Sequence, residues 1–203
     1  MTSMALSLQL SSAAVACCCS CCGSSGCSWS EPWDNLTGWF DLYQAAVEGH
    51  RFVIAAPHTD VGLAARLTDG AYSVSFELAP GAADGSSVAA AVTASGLFDG
   101  ALSVSTSLGM GHSSWFVGGL ATPGGFGVNL TPSNPDAPQL CTVQWNDAGQ
   151  WTVTVGDASV SGAGLGDVAP FPTKLYLFIA GVLGDVAPPS VGPVTASCTQ
   201  LPP

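Results

Sequence analysis

The sequence predicts an all-β protein, an antiparallel jelly-roll sandwich behind an irregular Cys-rich N-terminal arm. Three observations predict it. In Ala71 to Ala79, and again in Cys141 to Asp157, large apolar residues alternate with Ser, Thr, Gln or Glu, the period of a strand with one buried face. Turn-forming Gly, Pro, Asn and Asp interrupt about eleven such short segments at intervals of about 8–12 residues, the spacing of a sandwich. No stretch carries apolar residues at the 3.6-residue period of an amphipathic helix. With 203 residues there is room for one large β domain. The chain therefore divides into an arm, residues 1–30, and a domain, residues 31–203.

The arm reads MTSMALSLQLSSAAVACCCSCCGSSGCSWS. Its apolar run ends in Ala-Val-Ala-Cys, as a lipoprotein signal with Cys17 at the junction does, yet no Lys or Arg precedes the run. The sequence is therefore expected to keep the arm as an anchoring or assembly device. Six of the eight cysteines fall between Cys17 and Cys27. The pairs Cys18/Cys21 and Cys19/Cys22 have C-x-x-C spacing, which brings thiolates to one Zn²⁺ or an iron–sulfur cluster. Alternatively the same cysteines pack as compact hydrophobes or cross-link neighbouring chains. Cys141 and Cys198 lie apart on expected strands; they form a disulfide if those strands are neighbours, and are two buried thiols otherwise.

The domain opens with WSEPWDNLTGWFDLY, whose Trp33, Leu36, Trp39 and Phe40 suit a plug at one end of a sandwich. Strands are expected at Arg51 to Ala56, Leu63 to Leu67, Ala71 to Ala79, Ser87 to Ala94 and Ala101 to Ser107. Leu108 to Ser114, LGMGHSS, reads as a glycine-bearing loop leading into a strand from Trp115 to Leu120. Phe126 to Leu130 follows, then a surface loop from Thr131 to Pro138 stiffened by three prolines. Next comes a hairpin with Cys141, Val143 and Trp145 on one face, Asn146 to Gln150 as its turn, and Trp151, Val153 and Val155 returning. Lys174 to Val182 is apolar on both faces and fits the middle of a sheet covered on both sides. Val191 to Thr199 closes the domain.

Charge excludes several partners. Fourteen acidic residues stand against Arg51, Arg66 and Lys174, a net charge of −11 that repels a phosphate backbone or an anionic membrane. The longest apolar run, Leu175 to Leu183, is far shorter than the ~20 residues of a membrane-spanning helix. Only 8% of residues are charged, against roughly 25% in ordinary soluble domains. Much of the surface is accordingly expected to be covered by other subunits in a homo-oligomeric or multi-copy assembly.

WDNLTGWFDLY, DGAYSVSFELAP, VQWNDAGQWTVTVGD and the late pairing of LYLFIAGV with VGPVTASC together resemble the concanavalin A-like lectin/glucanase superfamily, in particular its laminin G-like jelly rolls, over residues 31–200. The small-residue, cysteine-bearing chain is also similar to tail-associated proteins of phages that infect actinobacteria. Glucanases of this superfamily carry E-x-D-x-x-E on one strand, so that alternate carboxylates act as nucleophile and general acid. Glu31, Glu48 and Glu77, the only glutamates here, have no such setting. Neither the legume-type metal loop nor G-x-S-x-G occurs, and His50, His58 and His112 lack the spacing of a metal site.

The expectation is thus a non-enzymatic virion protein, a minor tail or decoration protein on the exterior of tail or capsid, whose arm joins it to other virion subunits. The resemblance further implies carbohydrate recognition of a host cell-surface glycan, with no cofactor unless the arm holds Zn²⁺ or an iron–sulfur cluster. A sugar needs an aromatic plate and polar groups, which His112, Ser113, Ser114 and Trp115 supply if Trp115 is exposed and not core; Asn134 and Asp136 are a second loop candidate. The alternative function is a secreted or lipid-anchored carbohydrate-binding surface protein.

Overall fold

Strand alternation organises the structure, a computed structural model that describes residues 28–55, 61–93, 102–119, 125–165, 172–181 and 186–202. Among the described residues fifteen strands form. In chain order they are β1 (Trp29–Glu31), β2 (Phe40–Tyr43), β3 (Ala45–Glu48), β4 (Arg51–Ile54), β5 (Val61–Leu67), β6 (Ser73–Ala79), β7 (Ser87–Thr93) and β8 (Leu102–Gly109). They continue with β9 (His112–Gly119), β10 (Phe126–Leu130), β11 (Gln139–Trp145), β12 (Trp151–Val155), β13 (Ala158–Gly162), β14 (Lys174–Ala180) and β15 (Ser190–Ser197). Two antiparallel sheets result. One has eight strands in the order β13-β12-β11-β6-β15-β4-β3, with β1 also pairing β15; the other has seven, β10-β9-β8-β7-β14-β5-β2.

The core lies where the two inner faces meet. In the β11–β12 hairpin, Cys141 pairs with Val155, Val143 with Val153 and Trp145 with Trp151, and all six are buried. Leu175, Leu177 and Ile179 of β14 fill the facing sheet. Each such side chain contributes roughly 1.5–3 kcal/mol by leaving water. The entry segment closes one end. Glu31, 7% exposed, accepts hydrogen bonds from Trp33 N (3.0 Å), Trp39 Nε1 (3.0 Å) and Arg66 Nη1 (2.8 Å). Its charge is thereby balanced and its lone pairs are occupied, the condition for keeping a carboxylate inside.

The structure departs from the sequence reading in four places. The stretches LYLFIAGV and VGPVTASC do not pair: β14 lies between β7 and β5, whereas β15 lies between β6 and β4 in the other sheet. Both are central apolar strands, and an apolar pattern does not distinguish a hydrogen-bonded neighbour from one facing it across the core. Cys141 and Cys198 do not bond to each other either. Cys141 is a free thiol opposite Phe76, while β15 runs on the far side of β6, where Ser197 is opposite Ser73. Cys198 is disulfide-bonded, and its partner lies outside the described residues. Strands β1 and β2 lie at the two ends of the entry segment, and β3, unread in the sequence, follows it. Strand β13 goes unread because Val160 is the one large side chain in ASVSG. Cys18, Cys19, Cys21 and Cys22 lie outside the described residues.

Candidate functional site

Met110 and Gly111 form the two-residue tip between β8 and β9, with φ of 54° and 77°, and Gly109 pairs with His112 across it. Positive φ at both tip positions gives the turn whose twist matches a hairpin. The expected loop is therefore shorter, and His112, Ser113 and Ser114 belong to β9. Alternation then fixes their directions. Ser113, Trp115 and Val117 face inward, and His112, Ser114 and Phe116 face outward.

Trp115 is 1% exposed, so it is no sugar plate. Its ring packs in the core and its Nε1 donates to the Pro135 carbonyl at 2.8 Å. That bond ties the 131–138 loop to β9 and brings together the two stretches that the sequence offered separately. Asp136 Oδ1 accepts the Ser113 backbone N–H at 2.6 Å, and His112 Nδ1 stands 3.6 Å from Asp136 Oδ2. The Ser113 N–H is the main cause that holds the Asp136 carboxyl below the usual carboxylate range, with further help from the Ser113 and His112 side chains. The Asn134 carbonyl accepts Gln139 Nε2 at 2.5 Å, which braces the loop from behind. Ser113, Ser114, Trp115, Asn129, Leu130, Thr131 and Pro135 surround a cavity of about 270 Å³ beside this junction.

The aromatic residue that β9 turns to the surface is Phe116, 44% exposed. It lies over Gly118 and Gly127: a Cβ on either glycine would stand 2.6 Å from its ring. Two residues without side chains thus make a bed that holds the ring flat against the sheet. Register extends the site across the outer face of the seven-stranded sheet. Asn129, Phe116, Ser105, Ala89, Phe178, Leu63 and Tyr43 follow one another on successive strands. At ~4.8 Å per strand this row runs about 29 Å. It contains aromatic rings, a hydroxyl and an amide and no charged side chain. Ser103 and Ser107 flank Ser105 on β8, with Ser103 Oγ donating to the Gly118 carbonyl at 2.9 Å.

Phe116, Asn129 and Ser105 are the residues that the sequence reading missed. Their signal was present in SSWFVGG, where strict alternation puts Trp115 and Phe116 on opposite faces, so that burying one exposes the other. Among the described residues, no group of three or more His, Cys, Asp and Glu is placed to hold a metal ion. The carboxylates on strands stand singly, as Glu31, Asp41, Glu48 and Glu77, and Glu77 is engaged by Arg51 Nη1 at 2.5 Å.

No protein-family model matches the sequence, and no curated protein sequence matches it. Solved structures do match in fold. A Bacillus licheniformis beta-glucanase aligns at TM-score 0.55 and 13% identity, covering 86% of this chain and 99% of that one. The transglycosylase Crh5 aligns at TM-score 0.58 and 14% identity, covering 88% and 87%. The CBM2 module of the evolved Dit of Lactobacillus casei BL23 phage J-1 aligns at TM-score 0.57 and 10% identity, covering 87% and 98%. At these identities the likeness shows the fold, a jelly-roll sandwich shared with glucanases, a transglycosylase and a phage module. It also corrects one expectation. Enzymes are prominent among the structures that share this fold, so the inference from missing motifs to a non-enzymatic protein does not stand.

Proposed function

We propose that this chain is a glycan-recognition domain carried on the exterior of a phage particle, and that it takes a neutral cell-surface glycan on the outer face of the seven-stranded sheet around Phe116. The observation that carries this reading is Phe116 itself, an exposed ring bedded on two glycines in a row of hydroxyl, amide and aromatic side chains without charge. A sugar ring offers a C–H face to such a plate and hydroxyls to Ser105 and Asn129. The adjoining cavity and the Asp136–Ser113 junction hold the end of the row in shape. The phage module and the glucanases that share the fold support the same direction.

In this reading the arm joins the domain to other virion subunits in several copies, so individually weak sugar contacts add through multivalency. The test is titration of wild-type protein and Phe116→Ala with neutral and acidic oligosaccharides, with the products analysed for released sugar. Saturable binding of neutral glycans that Phe116→Ala weakens supports the proposal. Equal binding by both proteins, or preference for acidic glycans, sinks it. Released sugar would assign turnover as well as binding to the same face.

A further inference from the structure

Cys198 follows the last strand and is disulfide-bonded, and its partner is not Cys141, which is a free buried thiol. The other six of the eight cysteines all precede β1 in the chain. The bond therefore joins the end of β15 to the N-terminal arm. Which arm cysteine it takes is decided by the strand that lies beside β15 at this end.

That strand is β1. It runs antiparallel to β15, with Trp29 opposite Ala196, Ser30 opposite Thr195 and Glu31 opposite Val194. The same register, continued two positions past Trp29, sets Cys27 opposite Cys198. Residues opposed across an antiparallel pair have Cα atoms about 4.5–5.5 Å apart, inside the roughly 4.4–6.8 Å that a disulfide spans. Both strands are held firmly up to this point. Tyr72 N donates to the Ser197 carbonyl at 2.9 Å and Thr199 N to Ser197 Oγ at 3.2 Å, which fixes the backbone on either side of Cys198. On β1, the Arg66 guanidinium stacks on the Trp29 ring at 4.1 Å and also binds Glu31. Cys22, the next cysteine along the arm, is five positions further from β1, about 16 Å of extended chain.

We infer that Cys27 and Cys198 form a cross-strand disulfide that clamps the first strand of the domain to the last. On closing, the two thiols give up two protons and two electrons to a disulfide oxidant such as glutathione disulfide, which is reduced to two thiols. The clamp has a physical use. Strand β1 has three residues and pairs with β15 alone among the described strands, yet it carries Glu31, the acceptor for Trp33, Trp39 and Arg66. A bond from Cys27 to Cys198 closes a ring around nearly the whole domain, and so removes more freedom from the unfolded chain than a short loop does. Such a bond persists in oxidising surroundings, and reductant releases β1.

This inference does not rest on the glycan-binding reading. To test it, the full chain is refolded with oxidised and reduced glutathione, alkylated, and digested with pepsin in acid, where disulfides do not exchange. Peptides are mapped by mass spectrometry with and without reductant, and fragmentation locates the bonded cysteines. A pair containing Cys27 and Cys198 that separates on reduction is expected. Cys27→Ser and Cys198→Ser should each lower the thermal midpoint by about 10 °C, and the double variant no further, because both remove one bond. Hydrogen exchange at Ser30 and Glu31 should quicken in Cys27→Ser while the β11–β12 amides stay protected. Linkage of Cys198 to a cysteine between Cys17 and Cys22, or a free Cys198 thiol after refolding, overturns the inference. Midpoint and exchange that neither substitution alters would overturn the clamp.

Discussion

The Phe116 ring and Gly127 lie on adjacent strands, and a Cβ on that glycine would stand 2.6 Å from the ring's Cζ. The plate therefore depends on a missing side chain across the strand as much as on the aromatic residue. Gly127 does not have the positive φ that strains an L-residue, so alanine is tolerated by the backbone and acts on the ring alone.

Phe116→Ala should weaken neutral oligosaccharides about five- to tenfold, the worth of one stacked aromatic, and cost about 1 kcal/mol of stability or less. Gly127→Ala should weaken them by a similar factor through displacing the ring. In a double-mutant cycle the two losses should not add, because both remove one plate. Additive losses by calorimetry would show that Gly127 acts elsewhere.

Removing the Glu31 carboxylate should be among the most damaging single changes at the entry to the domain. Glu31→Ala strands the Trp39 indole N–H, the Trp33 N–H and one arm of Arg66, whose guanidinium also stacks on Trp29 at 4.1 Å. The expected cost is about 3–5 kcal/mol by denaturant titration, the scale for breaking a buried ion pair from one side. Glu31→Gln keeps an acceptor and should cost less. A neutral result for Glu31→Ala would mean that the entry segment contributes little to folding.

Asp136 gives the loop a pH dependence whose sign follows from its hydrogen bonds. Its carboxyl is held below the ordinary value of 3.8, chiefly by the Ser113 N–H. A depressed pKa in the folded state means that the contribution is complete above the unfolded value and is lost as pH falls through the folded one. The Ser113 amide resonance should therefore show an acid transition below about pH 4. Asp136→Asn should remove that acid transition while leaving Trp115 bonded to Pro135. An Asp136→Asn titration identical to wild type would place the transition on another group.

Cys141 should behave as a buried hydrophobe. Burial raises its thiol from 9.0 to about 12, so the folded protein keeps it protonated and the unfolded chain ionises first. Stability from this group is complete below pH 9 and is lost as pH rises from 9 towards 12. In native protein at pH 8, thiol reagents should leave Cys141 unmodified and label it only on unfolding. Cys141→Ser should cost about 1–3 kcal/mol by burying a hydroxyl. Peptide mapping without reductant should find Cys198 linked to a cysteine other than Cys141.

Alternation alone determined much of this protein. The β11–β12 register and the inner face of β6 follow from which residues alternate, because a strand with one dry face must place every second side chain in the core, and the burial of β14 follows from an apolar run on both faces. Composition likewise determined a strongly acidic chain, since only Arg51, Arg66 and Lys174 oppose 14 acids. Tertiary structure decided what alternation leaves open. Periodicity says that Trp115 and Phe116 point oppositely but not which side is dry; stacking the second sheet on Trp115 buried it and left Phe116 as the surface ring. That β14 and β15 lie in different sheets, and that Cys141 and Cys198 do not bond to each other, was decided by sheet order, a long-range choice that local pattern does not encode. The Asp136–Ser113 junction arises in the same way, because a loop 23 positions downstream is folded back by one indole N–H.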